Sequence, residues 1–166
     1  MFGQQGLQAR VVQVAQDLIR HNANETLRRL SRGMWEIELR DDVTGSELEI
    51  LARDLSQPGG PVRAFEYLSG GEKFRVDVSL AVGIGQSISG GRSTDTLLID
   101  EGFGSLDEDN RGLMVDELRR LSEEVLQGGR VIVISHQEDV CDGFTHRCVL
   151  TKDDNGRVQV EILNSL

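Results

Sequence analysis

Three short stretches of this chain carry residue types that do chemistry. Leu68, Ser69, Gly70, Gly71 and Glu72 stand in front of a helix-period apolar stripe, Asp100 and Glu101 close the apolar run 96–99, and Ser135 and His136 close the apolar run 131–134. Ser69 followed three residues later by Glu72 is a capping box, which explains both residues through reciprocal hydrogen bonds to orphan backbone donors. It does not explain the glycines, each of which costs up to roughly 1 kcal/mol against alanine within a helix. A first turn bare of Cβ atoms exposes its N–H groups at the positive end of the helix dipole, where a phosphate can approach closely. Asp100 and Glu101 offer hard oxygens to a divalent cation and a candidate general base, and they are equally the residue types that end strands at turns. His136 adds a proton-handling group, whose plain alternative is a strand-end histidine bonded to a neighbour.

The elements that must position these residues follow from periodicity. Apolar positions at Phe74, Val78, Ala81, Val82 and Gly85 predict a core-facing helix that ends in the Gly/Ser-rich stretch Ser87 to Ser93. Met114, Leu118, Leu121 and Val125 share a face of another helix, which Asp107 or Asp109 starts and Gly128 and Gly129 stop. A short apolar run, this helix and a second apolar run make a crossover, so both strands are expected to be parallel and buried on two faces. Residues just past parallel strands share one sheet edge, where open α/β sheets bind ligands. Upstream, residues 7–31 predict a helix with Leu7, Val11, Val14 and Leu18 in a coiled-coil seam that falters at His21 and Glu25. The end of a coiled coil and an amphipathic helix packed on its own domain both fit. Trp35, Ile37 and Leu39 alternate with charged residues, and the alternation returns at Leu48 and Ile50 after Asp41 to Gly45, which predicts a β-hairpin. Gln57 to Pro61 is expected to be a loop, and Cys148 to Leu150 to pair with Val158, Val160 and Ile162 through a turn at Asp153 to Gly156.

With 166 residues, 38% of them hydrophobic, the chain can bury one domain core rather than two. Its 28 acidic against 18 basic residues give a net charge of -10, which argues against nucleic-acid binding over the whole surface. Arg28, Arg29 and Arg32 form a tight cationic cluster that reads as a solvated helix face. Cys141 and Cys148 demand no oxidising compartment, and with His136 and His146 nearby they lack the close spacing of a zinc site. No apolar run approaches the roughly 20 residues that span a bilayer, and no secretory signal is expected, so the cytoplasm is the expected location.

The residues 68–72 resemble the signature motif of ATP-binding-cassette ATPases in the form found in the SMC group, and 97–101 resemble a Walker B strand. Ser105, Leu106 and Asp107 resemble the D-loop, and Ser135 with His136 the switch-histidine motif. The form "DEGFGSLD" at 100–107 is most similar to the SbcC-like DNA-repair ATPases, the family of the large subunit of the SbcCD exonuclease. This resemblance implies an α/β fold, the C-terminal lobe of a P-loop NTPase head of ABC/SMC type. Its sheet is expected to be mainly parallel, flanked by helices, with β-hairpins and an N-terminal helix leading from a coiled coil. Residues 1–31 would be that helix and 32–166 the lobe. The motif G-x-x-x-x-G-K-[ST] does not occur in these residues, so the resemblance implies that a Walker A lobe, on the same or a companion chain, supplies the phosphate loop. Alone, the lobe is expected to be inactive.

The resemblance also implies roles, with ATP and magnesium as cofactors. Asp100 would hold the magnesium ion through water, Glu101 would orient and deprotonate the attacking water, and His136 would contact the γ-phosphate and sense its loss. Ser69, Gly70, Gly71 and Glu72 would meet nucleotide held by the opposite head, and Asp107 would lie across that interface. Implied partners are a second head, an SbcD-like nuclease and DNA at the nucleoid, with no membrane. Rival readings are a non-enzymatic truncated lobe, another repair ATPase of RecF or RecN type, which lacks the "GFG" after the acid pair, and an ABC transporter ATPase. The last normally carries its phosphate loop before the signature, and residues 1–66 contain none.

Overall fold

Helix α1 (Gln4–Leu30) and helix α2 (Gly70–Ile88) cross at a point where no side chain fits between them. A Cβ at Gly83 would lie 2.7 Å from the Ala23 backbone nitrogen, so glycine there permits the contact. The computed structural model describes residues 4–41, 48–56, 58–90, 96–104, 106–126 and 128–164. The expected hairpin turn between Asp41 and Gly45 lies outside the described residues from 42 on, as do Gln57, Ser105 and the end of the Gly/Ser stretch at 91–93.

The expected hairpin is strands β1 (Trp35–Asp41) and β2 (Leu48–Asp54), antiparallel with Trp35 opposite Asp54. A third strand, β3 (Val62–Ala64), pairs with β2 directly after the Gln57 to Pro61 stretch. Asn24, buried in α1, binds Ile37 of β1 like a peptide group. Its amide donates to the Ile37 carbonyl at 3.0 Å and its oxygen accepts from the Ile37 N–H at 2.7 Å. Strand β4 (Thr96–Asp100) pairs in parallel with β5 (Arg130–Ile134) across helix α3 (Glu108–Glu124), as the crossover pattern predicts. A short helix α4 (Glu138–Asp142) then leads to the antiparallel hairpin β6 (His146–Lys152) and β7 (Val158–Asn164), with Cys148 opposite Ile162. The fold is mixed α/β, with one parallel pair, a three-stranded antiparallel sheet and a terminal hairpin.

Two cores divide the molecule, and α2 belongs to both. Phe74, Val78 and Val82 join Leu97, Ile99, Phe103, Met114 and Leu118 in one core. Val76 joins Ala23, Leu27, Trp35, Ile37 and Ala52 in the other. This double burial corrects the single stripe expected from sequence: Ala81 is exposed, while Val76, Ser79 and Gly83 are buried. A second correction concerns the parallel pair, which is buried on one face only. Leu97 and Ile99 point into the core, whereas Leu98, Ile132 and Ile134 are exposed, because no described element covers their side. Val160 and Ile162 of the terminal hairpin are exposed as well. The seam residues Leu7, Val11, Val14 and Leu18 are also exposed, and the buried positions of α1 among the described residues all lie in its last turns, from Ala23 to Leu30. No described helix is long and apolar enough to cross a membrane.

The α1–α2 crossing generates the first prediction. Gly83→Ala forces the helices apart, and the overpacking outweighs alanine's helix propensity, so unfolding free energy should fall by roughly 1–2 kcal/mol. Urea denaturation reads this directly, and an unchanged midpoint would show that the crossing has slack.

Candidate functional site

The first turn of α2 is built around the predicted capping box. Ser69 Oγ accepts from the Glu72 N–H at 3.3 Å, and Glu72 Oε2 accepts from the Ser69 N–H at 2.7 Å. The first helical bond of the turn runs from the Lys73 N–H to the Ser69 carbonyl, so the Gly70 and Gly71 amides remain the orphan donors of the helix end. Neither glycine has the positive φ that would require one. At Gly71 an added Cβ would meet only Arg75 Nη1 at 3.5 Å and Asn110 Oδ1 at 3.9 Å, an ordinary contact. Neither backbone geometry nor crowding within the chain accounts for glycine at Gly71. Because Ser69 Oγ already accepts, its own proton stays available for an outside acceptor.

This turn forms one wall of an open recess of about 400 Å³. Leu106, Asp107 and Asn110 form a second wall, and Trp35, Asp54 and Ser56 a third. Asp107 is the N-cap of α3 and accepts from the Asn110 N–H at 2.8 Å, while the Asn110 amide donates to both its oxygens. The Asn110 N–H first, and then its side chain, hold the Asp107 carboxyl below the usual aspartate range. On the third wall, Asp54 accepts from the Ser56 hydroxyl and N–H, which lower its pKa in the same way. The predicted signature and D-loop residues therefore face a common space.

The acid pair and the imidazole meet at the other predicted place, the C-terminal edge of β4 and β5. His136 Nδ1 lies 2.9 Å from Glu101 Oε2 and 3.1 Å from Oε1. An ionised carboxylate can only accept, so Nδ1 donates to it and Nε2 takes no part in the pair. Glu101 is held in the left-handed backbone region with φ 53°, a conformation that costs of order 1–3 kcal/mol for a side-chain-bearing residue. Its N–H donates to the Ile134 carbonyl at 3.0 Å, which continues the β4–β5 ladder by one bond. Behind it, a Cβ at Gly102 would come within 2.7 Å of Ile99, and Phe103 is buried with its ring centroid 5.0 Å from that of Phe74. The tight turn after the strand thus aims Glu101 outward while anchoring Phe103 in the core. Asp100, exposed and without a side-chain partner among the described residues, leaves carboxylate oxygens open to a hard cation.

Three residues of the site escaped the sequence reading. Asn110 locks Asp107, Asp54 closes the recess from the hairpin sheet, and Arg75 stands one turn after Gly71 with its guanidinium over that glycine. Only Arg75 left a signal, its four-residue spacing from Gly71 on the same helix face.

With this geometry in view, comparison with known proteins places the chain. The family model described as "SbcC/RAD50-like, Walker B motif" matches residues 43–120. The SbcC component of the SbcCD nuclease from Treponema pallidum is 35% identical over 142 residues, which are 81% of this chain and 13% of that protein. Its counterpart in Pseudomonas aeruginosa is 33% identical over 147 residues, 89% of this chain and 11% of the relative. The chain thus spans little more than a tenth of the length of these relatives. Among solved structures, a chain described under ATP-driven dimerization and DNA stimulated activation of SMC ATPases superposes with TM-score 0.65 at 23% identity, covering 93% of this chain and 89% of that one. The SMC head domain from Thermotoga maritima matches with TM-score 0.56 at 19% identity, covering 95% of this chain and 52% of its own. The fold is that of an SMC head.

The Asp107 cap sets a pH dependence. Its folded pKa is lowered, so the ionised carboxylate stabilises the native state above the ordinary aspartate value of about 3.9, and that contribution disappears as pH falls through the folded value. Wild type should exceed Asp107→Asn in thermal stability at pH 6, and the gap should close below about pH 4. A gap that stays constant down to pH 2 would mean that the carboxylate charge is irrelevant to the cap.

Proposed function

Since this chain belongs to the SbcC/RAD50-like family, we propose that it is the C-terminal lobe of an ATPase head that binds and hydrolyses ATP across a two-head interface. Residues 1–31 end a coiled coil and 32–166 form the lobe. Turnover is coupled to DNA double-strand-break repair through an SbcD-like nuclease, in the cytoplasm at the nucleoid. The observation that carries the reading is the bare first turn of α2, with its two orphan amides on an open recess shared with Asp107. A phosphate is the ligand that such a turn suits, because it satisfies both amides, accepts the Ser69 proton and sits at the positive end of a 19-residue helix. Glu72, already bound to the Ser69 N–H, acts by holding that turn rather than by touching an anion.

The remaining groups divide the reaction at the sheet edge. Asp100 offers its oxygens to magnesium, which when bound supplies charge neutralisation for the phosphates. Glu101 takes the proton of the attacking water, and His136 keeps the carboxylate aimed through Nδ1 while its Nε2 faces the terminal phosphate. The phosphate loop comes from a Walker A lobe on the same or a companion chain. The exposed apolar faces favour such a companion over a lobe that works alone, because Leu98 is 60% and Ile162 73% exposed, a large apolar area for water to cover.

In the complete head, Glu101→Gln should keep nucleotide-dependent head pairing while turnover falls about 10²- to 10⁴-fold, equivalent to roughly 3–5 kcal/mol of barrier. Full turnover by this variant would remove Glu101 from the mechanism. Ser69→Arg should fold and fail to pair with ATP. Gly71→Ala separates cradle from scaffold. Alanine fits the chain and stabilises the helix by up to about 1 kcal/mol, yet pairing measured by sedimentation should be lost. Pairing at wild-type strength in either variant would contradict the site.

A further inference from the structure

Arg75 lines the recess, and the roles above give it no task. It is also the only cation among the described residues that line the recess, where Asp54, Glu72 and Asp107 stand around it. Its guanidinium is not free to turn. Nε donates to Glu117 Oε2 at 3.0 Å and Nη2 donates to Oε1 at 3.1 Å, so the fork is matched edge to edge with a carboxylate on α3. The two side chains are only 19% and 11% exposed, which separates this pair from the solvated pairs elsewhere on the surface.

The placement of the pair gives it a consequence. With Nε and Nη2 taken by Glu117, the remaining nitrogen Nη1 is pressed toward Gly71 and lies 3.5 Å from the position a Cβ there would occupy. Asn110, which chelates Asp107, flanks the same point at 3.9 Å. Gly71 is thus bracketed by a guanidinium fixed to α3 and an amide fixed to the cap of α3. A glycine pair has no side chains with which to hold its own place, and the capping box ties Ser69 and Glu72 only to each other.

We propose that Arg75 is a positioning residue: clamped by Glu117, it fixes the signature turn of α2 against the Asp107 end of α3, so that both walls of the recess reach an incoming phosphate as one rigid body. This rests on the reading of that turn as a phosphate site completed by the opposite head. Arg75 acts through Glu117 and Gly71, not as a ligand of the phosphate. The geometry of the clamp depends on a planar fork meeting a carboxylate, which lysine does not reproduce.

The test is ATP-dependent pairing of the complete head, measured by sedimentation, beside ATP affinity of the single head and thermal melting. Arg75→Met, Glu117→Met, the double variant and the exchange Arg75→Glu with Glu117→Arg are compared. Each single variant should weaken pairing about 3- to 30-fold without changing single-head ATP affinity, and the double variant should be no worse than either single one. The exchange, which restores the fork with its ends reversed, should recover most of the pairing, and Arg75→Lys should not. Additive losses in the double variant, or an exchange variant that melts like wild type but does not pair, would overturn the clamp in favour of a direct contact by Arg75. A wild-type head that does not pair with ATP overturns the phosphate reading and the clamp together. Normal pairing by both single variants, in a head where Ser69→Arg abolishes it, overturns the clamp alone.

Discussion

Helix α2 is gripped on two sides, and most of the architecture follows from that grip. Phe74, Val78 and Val82 anchor it to the parallel pair and α3, while Val76 and the Gly83 crossing anchor it to α1 and the hairpin sheet. A helix buried on one face can roll or slide by changing rotamers; a helix buried on two opposed faces would have to repack both cores to do so. Its N-terminus therefore points where the two cores jointly dictate. The turn at Gly70 and Gly71 can do without side chains of its own because the two grips on the helix set where it lies.

Local pattern made several elements readable in advance, and tertiary context hid others. The hairpin sheet was legible from the alternation at Trp35, Ile37 and Leu39, and the β4–α3–β5 crossover from two apolar runs around an amphipathic helix. The capping box was legible because Ser69 and Glu72 are three apart, and its geometry depends on nothing distant. The second buried face of α2 was not, since Val76 and Gly83 meet residues far upstream in the chain, and a stripe made of Val76, Ser79 and Gly83 does not read as core from sequence. Burial of both faces of the parallel pair was expected from apolar runs alone. Leu98, Ile132 and Ile134 show that such a run records what a strand is suited to meet, not what this stretch of chain supplies. Side-chain locks such as Asn24 on β1 and Arg75 on Glu117 were also out of reach, because a polar residue within a helix looks like surface until its partner is known.

The electrostatics of the recess reconcile the proposed anion site with a chain of net charge -10. Asp107 and Asp54 both line the recess, but Asp107 spends both oxygens on Asn110, and Asp54 accepts two bonds from Ser56 on Oδ1. Glu72 does the same with the Ser69 N–H. A carboxylate that accepts two or three hydrogen bonds projects less of its charge outward, whereas the Gly70 and Gly71 amides and the helix dipole are left undiluted. The local balance at the turn can therefore favour an anion although the bulk surface repels one, which is why net charge excludes broad nucleic-acid binding and leaves a single phosphate position open.

The strained turn at Glu101 extends this logic to the sheet edge. Its φ of 53° is a cost that the fold meets through the Ile134 hydrogen bond, the tight fit of Gly102 and the burial of Phe103. What the strain secures is direction, because an extended residue there would continue the strand and turn the carboxylate away from His136. Yet the side chains of Glu101 and His136 are 56% and 74% exposed, and a base that must act on one chosen water works best where bulk water is excluded. The lobe thus prepares the orientation of the pair but not its enclosure. The exposed side of the parallel strands beside it, with Leu98, Ile132 and Ile134, is apolar, and a wall packed there would desolvate the strand face and screen the reacting edge together. On the proposed function, completion of the core and completion of the catalytic site are then one packing event, which accounts for residues so finely aimed on a lobe so openly faced.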